Sequence, residues 1–170
     1  GVHRLRRVYY SAFSPIPDAA RALPLAAPPT VREHRLYQAD WLMRFYGFTH
    51  DEIVPPNQGA PGSQVGMLAL DMDPKLAWAL AHRERFPVNL NTAPRELLLR
   101  VPGFGVQTVD RLLAARRVRR LRHADLARLH VPLKKVLPFV EAADYRPGRS
   151  LDAADLAAQL APPPVQRSLF

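Results

Sequence analysis

Asn89-Leu90-Asn91-Thr92-Ala93-Pro94-Arg95-Glu96-Leu97-Leu98-Leu99-Arg100-Val101-Pro102-Gly103-Phe104-Gly105-Val106-Gln107-Thr108-Val109-Asp110-Arg111-Leu112-Leu113 reads as a short apolar helix, a glycine bend and a second helix in one line. Residues 95–101 form the first helix, and Pro102 ends it because a proline ring clashes with the preceding turn and brings no N–H. Gly103 and Gly105 permit a tight bend that residues with side chains would strain. Phe104 between them is an apolar plug for the space between the two helices. Residues 106–117 resume a helix whose apolar positions are Val106, Val109, Leu112 and Leu113. The first amides of that helix, from Val106 to Thr108, are expected to be unpaired at the positive end of its dipole. Such a terminus seats a phosphate without regard to the base attached to it. Pro102, Gly103, Phe104, Gly105, Val106, Gln107 and Thr108 are therefore candidate DNA-binding residues.

Charge points the same way. The net charge is +9, and residues 91–140 alone hold 11 cations against 3 anions. Those fifty residues carry +8, so the other 120 carry +1. A field this concentrated attracts polyanions. Arg111 and Arg116 stand beside the bend, while Arg117, Arg119 and Arg120 lie in the densest positive run, residues 116–123. A solvated arginine-rich surface is the plain alternative. Residues 124–140 look like a degraded second copy. Its first helix is expected over residues 125–130, its turn at Val131-Pro132-Leu133 and its second helix over 134–140. The glycines are gone, and Lys134 and Lys135 stand near the start of that second helix.

Helix, Pro-Gly-apolar-Gly, helix resembles the helix-hairpin-helix family, and the Asn-Leu-Asn-Thr-Ala lead-in resembles that of some of its DNA binders. The resemblance implies paired hairpins packed about a pseudo-two-fold axis and straddling a minor groove. Gln107 and Thr108 depart from it, standing where members often carry Lys or Arg, and Val109 replaces a small alanine. A structural or protein-binding hairpin is the competing reading.

Elsewhere the sequence is broken into short pieces. It has 170 residues, 48% apolar, with 18 prolines and no cysteine. Disulfides, thiolate metal sites and a cysteine-held cluster are excluded within these residues. No apolar run approaches the ~18 residues of a membrane span, and no secretory leader is evident. Residues 6–13 read as a strand, followed by a Pro/Ala-rich linker over 18–31. A helix is expected over residues 32–46, with Tyr37, Trp41 and Phe45 at spacings of four as a packing stripe and Gly47 as its left-handed cap. Thr49 and Glu52 have capping-box spacing, residues 55–66 form a loop, and Asp73-Pro74 starts a helix to about residue 82. Capping explains Asp73 better than a metal shared with Asp71. The histidines are scattered, and no nucleophile–base pair stands out.

Four stretches in order resemble the C-terminal part of a family of DNA modification/repair radical SAM proteins. They are RVYYSAFSPIP from Arg7, REHRLYQADWL from Arg32, DMDPKLAWA from Asp71, and the hairpin region through Val140. The resemblance implies a mainly α chain. Residues 1–17 would be the last strand of a truncated α/β barrel, and 18–86 a helical linker region. Residues 87–141 would be a tandem helix-hairpin-helix DNA-binding domain, with one good and one degenerate hairpin, and 142–170 a flexible tail. The family's 4Fe-4S cluster and S-adenosylmethionine would belong to residues upstream of Gly1, with no cofactor in this chain, and a uracil-DNA-glycosylase-like protein would be a partner.

Residues 150–160 are expected to be a short helix. The C-terminal Gln166-Arg167-Ser168-Leu169-Phe170 is similar to the bacterial sliding-clamp-binding peptide. Leu169 and Phe170 would fill a greasy pocket while Gln166 and Ser168 make polar contacts. The expected function is sequence-independent DNA binding that positions a catalytic barrel in the bacterial cytoplasm, with no membrane association. A scaffold for the glycosylase-like partner, and a stand-alone DNA-uptake or structural binder, are the alternatives.

Overall fold

Several helices begin where the local signals put them. The computed structural model describes residues 8–11, 14–16, 26–54 and 67–160. The chain is mainly helical. Helix α1 spans Thr30–Phe45, and Gly47 follows at φ +70° as the left-handed stop. Helix α2, His50–Ile53, opens with a reciprocal Thr49–Glu52 capping box. Helix α3, Pro74–Ala81, is capped by Asp73, whose carboxylate accepts from the Leu76 amide at 2.9 Å.

The hairpin region follows. Strand β1 is Val88–Asn89; α4 is Arg95–Arg100 and α5 is Val106–Arg116. Helix α6 is His123–Arg128, α7 is Leu133–Val136, and a 3-10 turn at Leu137–Phe139 leads to strand β2, Val140–Glu141. The two strands pair in parallel, Val88 with Val140 and Asn89 with Glu141, so the entry to the first hairpin is tied to the exit of the second. The Asn89 side chain donates to the Glu141 carboxylate at 2.7 Å, fixing the same register. Neither strand was expected: two residues each carry no alternation to read.

Leu90, Leu98, Val109, Leu112, Leu121, Leu126, Val136, Phe139 and Val140 are fully buried in one core between the hairpins. Each such side chain contributes about 1.5–3 kcal/mol of burial. The α1–α3 region joins this core through Leu42, Phe48, Leu76 and Trp78. Arg100 locks the two parts together. Its guanidinium donates to Glu52 at 2.8 Å and to the Gly47 carbonyl at 3.3 Å, and lies over the Phe48 ring.

Four expectations change. Residues 8–11 carry no regular structure, and the Tyr10 amide and carbonyl instead bond the Tyr37 hydroxyl. The rest of the expected strand, the loop over 55–66 and the tail residues 161–170 lie outside the described residues. The aromatic stripe of α1 is turned outward: Trp41 is 58% and Phe45 49% exposed, while Ala39 and Leu42 face the core. The second hairpin's turn comes earlier and its final helix is shorter than expected, because Pro138 interrupts the helix after a single turn. Residues 150–160 are not one helix but a 3-10 turn, Gly148–Asp152, and a helix α8, Leu156–Leu160. Arg83 takes the Leu151 and Ala153 carbonyls at 3.2 and 3.1 Å, which a continuous helix would have used.

Candidate nucleic-acid interface

Val101 and Phe104 close a tight turn through an amide–carbonyl bond of 3.2 Å, with Pro102 and Gly103 at its two central positions. Gly103 has φ +88°, as the third position of a type II turn requires. It is doubly constrained. A Cβ there would stand 2.8 Å from Val136 Cγ2 and 3.0 Å from Pro132 Cγ, so the glycine lets the turns of the two hairpins touch. Phe104 is buried as the plug.

Gly105 is different. Its φ of −94° and ψ of 167° suit any residue, and a Cβ would meet only the Tyr46 hydroxyl, at 3.8 Å. Among the described residues nothing demands a glycine at this N-cap. A Ser or Asp there would cap α5 with its side chain and stabilise it by roughly a few tenths of a kcal/mol. With glycine in place, the amides of Val106, Gln107 and Thr108 have no acceptor among the described residues. Gln107 is exposed, and Gly105, Val106 and Thr108 are partly so.

The second hairpin repeats the backbone with bulkier residues at the bend. His130 takes the left-handed place of Gly103 at φ +54°. In the same register Val131 matches the Phe104 plug, Pro132 matches Gly105 as N-cap, and fully buried Val136 matches Val109. Pro132 puts a ring where Gly105 leaves space, and its carbonyl accepts from the Lys135 and Val136 amides.

The cations divide into two groups. Arg116 donates to the Ala93 and Leu90 carbonyls at 2.6 and 3.4 Å. Arg119 forms a bidentate pair with Asp125, which holds that carboxyl below the usual carboxylate range. Lys135 pairs with Asp73. These three, expected as DNA contacts, are engaged in holding the fold. Arg111, Arg117, Arg120 and Lys134 are exposed, as is Arg122, and their side chains have no partner among the described residues. Gln166, Ser168, Leu169 and Phe170 lie outside the described residues.

Three positioning residues escaped the sequence reading. Asn91 imitates a peptide group, donating to the Leu121 carbonyl at 3.1 Å and accepting from its amide at 2.7 Å. Asn89 accepts from the Asn91 amide at 2.9 Å. These bonds give the lead-in a structural job: it clasps the connector between the hairpins. The third is Lys75, buried at the start of α3, whose ammonium donates to the Phe104 carbonyl at 2.7 Å beneath the Tyr46 ring. Burial pushes this lysine down to about 7; Asp73 opposes the shift, while Lys135 and Arg100 add to it.

The chain contains no cysteine, and among the described residues no group of three or more His, Asp or Glu side chains converges as a metal site would. An iron–sulfur cluster therefore finds no thiolate ligand here. No described helix is long and apolar enough to cross a membrane. No family model matches the chain, and no curated protein or solved structure matches it.

Proposed function

We propose that this chain is a sequence-independent DNA-binding module that seats a backbone phosphate on the open amides of α5. The supporting observation is Gly105, a glycine required by neither backbone nor packing, at a helix start left uncapped. Amide groups aimed outward at the positive end of a helix suit an anion of any sequence context. Arg111, Arg117, Arg120 and Lys134 supply the surrounding field, and Arg116, Arg119 and Lys135 hold the frame. Two neutral residues, Gln107 and Thr108, follow the bend, so the grip there is by main chain rather than by charge.

On the sequence resemblance, the module's role is to place a radical SAM barrel on DNA for repair or modification. The cluster and S-adenosylmethionine would be bound by residues other than these. The tail, through Gln166, Ser168, Leu169 and Phe170, would engage a sliding clamp. A chain lacking residues 166–170 should then lose capture on immobilised clamp, and undiminished capture removes that part of the proposal.

Salt titration of DNA binding tests the central reading. Log affinity should fall against log salt with a slope of about −0.9 per neutralised phosphate on duplex DNA. A flat titration, or an affinity matched by an unrelated protein of equal charge, favours a protein-binding scaffold instead.

A further inference from the structure

Between α1 and the start of α3 lies an open cleft of about 450 Å³. Small-ligand sites commonly fall between roughly 300 and 1,000 Å³. One wall carries Trp41 and Tyr46; the other carries Lys75, Lys135 and Asp73. Trp41 is unusual for its exposure. Helix α1 is anchored by Ala39 and Leu42, so the fold does not use the indole, yet it stands 58% exposed against Phe45 at 4.5 Å between centroids. Tyr46 is the hinge between this cleft and the hairpin. The Lys75 ammonium lies 4.7 Å from its ring centre, and its hydroxyl reaches to within 3.8 Å of where a Gly105 Cβ would be. The aromatic cleft thus opens beside the α5 amides.

We propose that this cleft binds one unpaired nucleobase of single-stranded DNA, stacked on Trp41. The proposal rests on the phosphate-seat reading above and extends it to the class of DNA. An exposed indole offers a flat π face, and every unpaired base presents one, whereas bases stacked within a duplex do not. The polar wall suits a nucleotide better than an apolar peptide, because the Lys135–Asp73 pair and buried Lys75 line it. A nucleotide whose base enters here has its phosphate on the side of the hairpin bend, where Tyr46 meets Gly105.

Trp41 and Trp78 are the chain's two tryptophans, and Trp78 is buried, so a stacked base can quench Trp41 while Trp78 emission stays as a constant background. The full chain is titrated with a short oligothymidylate and with a duplex of equal length, alongside Trp41→Ala, Trp41→Phe and Gly105→Val. The oligothymidylate should bind more tightly than the duplex and quench emission, and Trp41→Phe should keep the affinity but lose the quench. Trp41→Ala, at an exposed site and checked for folding by circular dichroism, should lose roughly tenfold in single-strand affinity with duplex affinity unchanged. Equal losses on both DNAs, or quenching that persists in Trp41→Phe, overturn the proposal. A Trp41→Ala change that alters self-association and leaves DNA affinity intact makes the cleft a protein interface and overturns it too. Gly105→Val separates the two readings. If it binds both DNAs normally while Trp41→Ala does not, the phosphate seat fails and the stacking site stands. If wild-type chain binds neither DNA, both fall.

Discussion

The two hairpins share one backbone plan and differ in what closes each bend. The first has Gly103 and Gly105 with neutral Gln107 and Thr108; the second has His130 and Pro132 with Lys134 and Lys135. Charge alone would make the second the better DNA contact. Their geometry differs too: the Pro132 ring packs toward Gly103, and Lys135 is held by Asp73. The second hairpin is a buttress: Pro132 and Val136 press against Gly103, and Val131 and Val136 fill the core. Under the proposed function, the comparison turns on the residue at each helix start, Gly105 or Pro132, rather than on the number of nearby lysines.

The largest effect expected from this asymmetry is in pH dependence, through Lys75, the strut that only the first hairpin has. Its folded-state pKa near 7 lies below the ordinary 10.5. Below about pH 7 both folded and unfolded chains hold the proton, and the burial penalty is complete. Between about 7 and 10.5 the unfolded chain binds more protons than the folded one, so stability rises with pH across that window. The full shift corresponds to roughly 5 kcal/mol at 1.36 kcal/mol per unit. Lys75→Met should flatten the rise in urea-denaturation series run from pH 7 to 10. A wild-type profile that is already flat means the ammonium is not buried against the Phe104 carbonyl.

Next in size is Gly103→Ala. It forces a side chain to φ +88° and drives a Cβ to 2.8 Å from Val136. A loss of about 2–4 kcal/mol in unfolding free energy is expected from strain and overpacking together. A loss near zero would separate the two hairpins and undo the buttress. His130→Gly is the matching change in the second copy and should be smaller and opposite in sign. Releasing a left-handed residue from φ +54° should stabilise by about 0.5 kcal/mol once glycine's extra chain entropy is counted.

Much of this was legible because it was local. Asp73 before Pro74, Thr49 before Glu52 and Pro102-Gly103 after an apolar run are signals carried within four residues, and the helices start and stop at them. The second copy was legible as a pattern but misplaced by a few residues, since without glycines its bend is marked only by His130. The clasp of Asn91 on Leu121, the Lys75 strut and the Arg100–Glu52 lock join residues 30, 29 and 48 apart, and no spacing rule reaches that far. Counting arginines did not show that Arg116 and Arg119 also make hydrogen bonds inside the fold. The spacing of Tyr37, Trp41 and Phe45 defined a face of α1 without saying whether that face turns inward.

The central claim is that DNA is held at Gly105, and the affinity of Gly105→Val for DNA tests it most directly. The variant keeps the net charge and adds a side chain whose Cβ meets nothing closer than 3.8 Å among the described residues, so its melting temperature should stay within a few degrees of wild type. Its DNA affinity should fall tenfold or more, about 1.4 kcal/mol. A folded Gly105→Val chain that binds DNA as tightly as wild type would contradict the account.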